Sequence, residues 1–475
     1  QDPDRMKIEN IDIQATLESA KSLVHDDKQL SAATKSMLEI LILIITLLAN
    51  RLNLNSTNSS KPPASDPNRK KRPGKKSGKK AGGQNGHIGT TLTKVDNPDR
   101  VKVIKIDRRK LPAGQYHQVG FETRQVFDID ISRIVTEYRA QILQSDEGHQ
   151  FVAPFPSGVS KAAQYGTGIK AHAVYMSQFQ LIPYNRIQDY FADQLQIPIS
   201  EGSIFNFNQE AHQLLADFDN RAKAELASSE MIHADETGIN IGGKRHWLHG
   251  ASNDLWTCYQ PHEKRGTDAM NDMGILPEFK GILCHDHWKP YYKYDCTHAL
   301  CNAHHLRELT RAWEQDDQKW ALKIKNLLET INKEVTDAGG VLNAEKSQKF
   351  RQKYRQLIKQ GEIESPDPPR PKGKKGRVKK SKPRNLLERL RDYEEDTLRF
   401  MDVEIVAFTN NRGENDIRMT KVQQKISGCF RSMDGARIFC RIRGYLSTCR
   451  KQGVKSSQAL ELLFSGKKPD FLLNK

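Results

Sequence analysis

At 475 residues the chain can bury the cores of two to four domains, and its formal net charge of +17 favours an anionic partner such as nucleic acid. The basicity is local: residues 61–80 hold nine Lys/Arg against one Asp, residues 370–384 hold nine Lys/Arg and no acid, and the remainder is close to neutral. The seven cysteines, an odd number all beyond residue 257, argue against a disulfide framework, and the longest apolar run, residues 40–49 broken only by Thr46, falls short of the ~20 residues of a membrane span.

Residues 1–55 are expected to be helical, with Met37, Leu41, Ile44 and Leu48 spaced as the seam of a packed or coiled helix. So apolar a helix needs a partner, either a second copy of itself or one of its own domains. The run within it lacks the basic flank and small-residue cleavage site of a signal sequence, so the chain reads as soluble and cytosolic. Residues 56–92, rich in Ser, Pro, Gly and Lys, have the composition of a disordered linker, a tether for DNA phosphates or a solvated spacer. Residues 93–158 alternate apolar and polar positions, at Val101, Val103, 126–131 and 134–143, as in a small antiparallel β unit.

Residues 159–226 turn helical. An amphipathic helix is expected over 184–195, then a break at 196–199, then a second helix capped by Ser200 and running through Phe205, Phe207 and Leu214. That outline suits a helix-turn-helix DNA reader and equally any helical hairpin. Strands are expected over 231–235, 240–251 with a break at Gly242-Gly243, and 255–260, followed by a helix near 267–273 and a strand over 281–286. Three antiparallel strands, a helix and a further strand are how an RNase H-like domain begins, an order not unique to it; the expected fold class is α/β with such a core. That core spans 227–306 and 403–432, interrupted by a charged helical insertion over 307–402 that holds the second basic tract. Residues 433–475 add two or three helices.

The chemistry concentrates in acids. A short apolar strand delivers Asp235 and Glu236 into a sheet, where an ionised carboxylate is costly unless it is paired or binds a metal. Strand alternation lets only one of them face a given site; Asp235 shares its side with His233 and Thr237, and Asp286 shares a side with Cys284. Glu414, Arg418, Lys421 and Lys425 fall on one helical face, a carboxylate followed by three cations, whereas Asp416 lies on another. Such acids can hold the two Mg²⁺ ions, roughly 4 Å apart, that cut phosphodiesters. They can equally cap strands, and Glu414 can pair with Arg418 as an ordinary surface bridge. Zinc-type ligands gather at Cys284, His285, His287, Cys296, His298, Cys301, His304 and His305, without a paired C-x₂-C. Cys301-x₂-His304 is half a zinc site, and packing or support of Asp286 accounts for the cluster as readily.

Residues 55–66 (Asn-Ser-Thr-Asn-Ser-Ser-Lys-Pro-Pro-Ala-Ser-Asp), 81–87 (Ala-Gly-Gly-Gln-Asn-Gly-His), 234–238, 300–308, 410–418 and 425–431 together carry a likeness over most of the chain. In these segments, and in their order, it resembles the TnpC transposases of the insertion-sequence-sixty-six family, bacterial DDE-type enzymes. The resemblance implies that Asp235, Asp286 and Glu414 are the catalytic acids of an RNase H-like core, holding two Mg²⁺ or Mn²⁺ ions for DNA strand cleavage and transfer. It also implies a helical insertion between the second and third acids, with Cys301-x₂-His304 at its edge.

On this reading Arg418, Lys421, Lys425 and Arg431 hold phosphates, and the helices of 159–226 read the element's ends. Its partners are the terminal inverted repeats, target DNA, further copies of the chain and small accessory proteins, met in the bacterial cytoplasm at the nucleoid. Relatives often carry C-x₂-C zinc pairs in the segment matching 95–155, but this chain has no cysteine before residue 258, which argues against zinc there. The alternative is a catalytically inactive DNA-binding derivative of such a transposase; a further one is an RNA-directed nuclease of the same fold.

Overall fold

The computed structural model describes residues 7–8, 11–52, 54–55, 57–59, 92–368 and 378–473. Most of the linker expected over 56–92, and the centre of the second basic tract, lie outside the described residues. The chain divides into two compact units, residues 1–69, 155–190 and 198–475 in one and residues 70–154 and 191–197 in the other.

The larger unit begins with a two-residue ladder, β1 (Lys7–Ile8) against β2 (Ile11–Asp12), leading into α1 (Ile13–Asp26) and α2 (Ala32–Leu52), which pack on each other. At 21 residues α2 is long and apolar enough to cross a membrane by length and composition, a longer apolar element than the run of 40–49 indicated. Its expected seam, Met37, Leu41, Ile44 and Leu48, stands exposed. The end of this segment docks on the helix over Asn302–Asp316: Gln315 donates to the Asn50 carbonyl at 3.2 Å and Asn58 to Glu314 at 2.8 Å.

The smaller unit contains a single hairpin among its described residues, β3 (Ile142–Gln144) with β4 (Gln150–Val152). Residues 101–141, expected to supply most of a β unit, form no strand. Val101, Ile104, Val126, Ile129 and Ile134 are all exposed, so the alternation has no covered face to pair against.

The helices α3 (Thr167–Val174), α4 (Tyr184–Leu195), α5 (Glu201–Leu214) and α6 (Ala216–Ala227) follow the expected helical stretch, all in the larger unit but for the last residues of α4. Ser200 caps α5, its Oγ accepting from the Ser203 N–H at 3.1 Å. A five-stranded sheet comes next: β5 (Met231–Ile241), β6 (Lys244–Ser252), β7 (Thr257–His262), then α7 (Thr267–Met273), β8 (Ile282–His285) and β9 (Thr297–Leu300). Its order is β7-β6-β5-β8-β9, with the first three strands antiparallel and β8 and β9 parallel to β5, a mixed α/β architecture.

From the sequence, a break is expected after Asp235, in the polar Asp-Glu-Thr-Gly stretch of β5. The strand instead stays paired to β6 as far as Ile241↔Lys244. The turn falls on Gly242-Gly243, both at positive φ (+56° and +81°), the two-residue hairpin geometry that glycine permits. Asp235 and Glu236 are therefore mid-strand. The brief strand β9 was not foreseen.

The insertion builds its own core. Trp320, Ile324 and Leu328 of α9 (Lys319–Asp337) pack with Tyr354 of α10 (Ala344–Glu364) and Leu387 of α11 (Lys382–Asp392). This core is continuous with Leu309 of α8 (Asn302–Asp316), Leu398 of α12 (Glu394–Leu398), and Cys284 and Ala299 of the sheet. Three helices close the chain: α13 (Asn411–Ser427), α14 (Met433–Lys451) and α15 (Ser456–Phe464). A second core joins Ile239, Leu248 and Tyr259 to Ile417, Phe430 and Phe439. Helix α14 lies along β7, where a Cβ at Gly444 would sit 3.1 Å from the Thr257 carbonyl, and it ties back to α5 through Arg441 and the His212 carbonyl at 3.0 Å.

Candidate active site

Strand register sets the first two acids side by side. Parallel pairing places Met231 against Ile282 and His233 against Cys284; continued two residues, it brings Asp235 level with Asp286, just past the end of β8. Across the other edge Asp235 faces Gly250 of β6. This glycine is where α13 meets the sheet: a Cβ there would lie 3.0 Å from Ile417 Cγ1 and 3.1 Å from Cδ1. Ile417 is one helical turn from Glu414, so the bare position lets α13 carry Glu414 in over β5.

Asn410 fixes the start of that helix. Fully buried, it joins His233 Nδ1 through its Oδ1 at 2.7 Å and donates from Nδ2 to the Ala234 carbonyl at 2.9 Å. Its carbonyl accepts from the Glu414 N–H at 3.1 Å, and its own N–H donates to Cys301 Sγ at 3.1 Å. One residue thus links β5, at His233 and Ala234, through its side chain and the helix that carries Glu414 through its backbone.

The electrostatics record the convergence. The Asp235 carboxyl is pushed up to about 8 by burial, then by the nearby charges of Glu236, Asp286 and Glu414; the Glu236 N–H, donating to Asp235 Oδ1 at 2.9 Å, opposes them. Asp286 accepts the Trp288 N–H at 3.0 Å. Glu236 turns to the other face, as alternation requires. Its side chain is only 1% exposed, paired with Arg265 and accepting from the Tyr291 hydroxyl at 2.6 Å. Burial and Asp286 raise its proton affinity too, so the Arg265 and Tyr291 contacts are what favour its ionised form.

Glu414 makes no ion pair with Arg418 among the described residues. Its Oε1 lies 4.0 Å from Cys301 Sγ and 3.9 Å from His304 Nδ1 instead. Of the cations on its face, Lys421 donates to the Gly238 carbonyl at 2.8 Å and pins α13 to β5, burial lowering its proton affinity. Arg418, Lys425 and Arg431 are exposed. Asp416 pairs with Lys451 at 2.8 Å, a link between α13 and α14.

The Cys/His cluster disperses. His285 meets His298 at 3.1 Å, His305 meets the Asn302 side chain at 3.0 Å, and Cys284 packs in the core. Among the described residues, Cys301 and His304 gather with Glu414 rather than with a third soft ligand. Neither Gly250 nor Asn410 was singled out from the sequence. An asparagine four residues before a helical acid is a helix-start signal that could have flagged Asn410; nothing local marks Gly250.

Residues 162–438, more than half the chain, match the family described as Transposase IS66 family. Residues 2–93 match a family of unknown function (DUF6444). No curated protein matches the chain.

Proposed function

The chain belongs to the IS66 transposase family, and from that membership we propose that it is a DDE enzyme that cuts DNA strands at the ends of an insertion sequence and joins them to a target. The chief support is that Asp235, Asp286 and Glu414, spread along the sequence, come close enough for the other two to raise the proton affinity of Asp235. The strand order, three antiparallel strands followed by two parallel ones, supports an RNase H-like core over 227–306 and 403–432.

The donor set fits a hard divalent cation. Carboxylate oxygens suit Mg²⁺ or Mn²⁺, and a cation would offset both the burial and the neighbouring negative charges that hold a proton on Asp235. Asp235, Asp286 and Glu414 would hold two such ions, which supply an activated water or 3′-hydroxyl and a stabilised leaving oxygen for phosphodiester chemistry. Around them, Asn410 and Lys421 keep the Glu414 helix against β5, while exposed Arg418, Lys425 and Arg431 take up DNA phosphates.

Helices α4 and α5 are the proposed reader of the element's terminal repeats, and the basic tracts tether the DNA around them. The exposed seam of α2 joins copies of the chain, and small accessory proteins of the same element act beside it in the bacterial cytoplasm at the nucleoid. Replacing Asp235 by Ala is expected to abolish Mg²⁺-dependent nicking of a labelled element end while end binding persists. Full cleavage by that variant overturns the assignment; a wild-type chain that binds ends but nicks none in either metal is the non-catalytic derivative instead.

A further inference from the structure

We propose that Cys301, His304 and Glu414 form a site for a soft divalent cation of the zinc class, distinct in ligand chemistry from the carboxylate cluster and sharing Glu414 with it. Cys301 caps the start of α8 and His304 lies in that helix's first turn; Glu414 lies in the first turn of α13. Where the insertion leaves and rejoins the sheet these two helix starts meet, tied by the Asn410 N–H on Cys301 Sγ at 3.1 Å.

The three ligand atoms lie within 4.8 Å of one another, with Glu414 Oε1 4.0 Å from the sulfur and 3.9 Å from the imidazole nitrogen. Zinc bonds of about 2.3 Å to sulfur and about 2.0 Å to nitrogen or oxygen set tetrahedral neighbours roughly 3.3–3.5 Å apart, so closing on an ion asks for side-chain shifts on the order of 1 Å. A second, independent observation points to a ligand: the His304 Nδ1 atom is buried with no hydrogen-bond partner among the described residues, facing a thiol and a carboxylate. A cation between them satisfies that nitrogen, and the Asn410 N–H already supports the sulfur as metal-bound thiolates commonly are supported.

Thiolate and imidazole select a soft ion over Mg²⁺, and three protein ligands leave a fourth position open. Glu414 cannot fully serve both sites at once, so a soft cation would withdraw it from Asp235 and Asp286. That consequence rests on the function proposed above; the binding itself does not.

The test uses the full chain and Co²⁺, whose bond to a thiolate absorbs in the near ultraviolet. We expect a saturable charge-transfer band, displaced by Zn²⁺ but not by excess Mg²⁺. Cys301→Ser should abolish it, and His304→Ala and Glu414→Gln should each weaken Co²⁺ binding by roughly tenfold or more. Cys296→Ser and Asp235→Asn should leave the band intact. No band in the folded protein, or one that survives Cys301→Ser, overturns the proposal. The half-buried His304→Ala variant decides the matter if Cys301→Ser fails to fold, since undiminished Co²⁺ affinity there also overturns it. Nicking in Mg²⁺ reports separately on the proposed catalysis: a missing band leaves it untouched, and a nicking-dead Asp235 variant leaves the band in place.

Discussion

Asp235→Asn should stabilise the cation-free protein, and increasingly so as pH rises. The folded carboxyl keeps its proton up to about 8, whereas an unconstrained one releases it near 3.8. Between those values the folded state binds more protons than the unfolded state, so wild-type stability falls as pH rises through the window. The rise from 3.8 to about 8, at about 1.36 kcal/mol for each tenfold gain in proton affinity, caps the loss at roughly 5–6 kcal/mol. Asp235 retains some contact with solvent, and about half that figure, roughly 2–3 kcal/mol, is the expected effect once water screens the site.

Asparagine resembles the protonated acid and can still accept the Glu236 N–H, so the variant escapes the pH-dependent loss. The assay is thermal unfolding of both proteins with a chelator at about pH 5, 7 and 9, where the two curves should separate progressively. Saturating Mg²⁺, at about 100 times its dissociation constant, should return about 2.7 kcal/mol to the wild type and much less to the variant. A variant less stable than wild type by the same margin at every pH would refute the reasoning and make Asp235 an ordinary satisfied acid.

Gly250→Ala should cost about 1–3 kcal/mol by pressing a methyl into Ile417, and Ile417→Ala in the same chain should recover part of it. Urea midpoints of the four proteins in that cycle measure the coupling, and strictly additive losses would show that α13 does not rest on this glycine. Replacing Arg418, Lys425 or Arg431 by Ala should each reduce the slope of log affinity for an element end against log salt by about 0.9, read by fluorescence anisotropy across a salt series. Lys421→Ala should behave differently, lowering stability through the lost Gly238 bond more than it changes that slope.

Much of the sheet was legible because its signals are local. The apolar run before Asp235, the glycine pair at 242–243 and the Ser200 cap each act within a few residues, and each element formed near its expected place. Legibility failed where the deciding contact is distant. The polar Asp-Glu-Thr-Gly segment reads as a turn until β6 pairs with it, and the alternation over 101–141 reads as strands although no surface covers it. The site divides in the same way. Strand alternation puts Asp235 and Glu236 on opposite faces from the sequence alone, but the roles of Gly250 and Asn410 exist only once α13 lies on the sheet. Cys301 and His304 looked like half a site because their third companion is a residue more than a hundred positions away.

The neck of the insertion has a consequence in polymer terms. Cys301 and Asn410, 109 positions apart, touch through one N–H···S bond, and Asn302 N–H donates to the Phe408 carbonyl beside it at 3.1 Å. Seen from the sheet, the helices between are a loop whose two ends have already met. The entropy of closing such a loop grows only logarithmically with its contour, by about 0.6 kcal/mol per doubling. Segments could therefore be spliced into or trimmed from the far end of this excursion with little thermodynamic signal reaching Asp235, provided the two closing bonds survive.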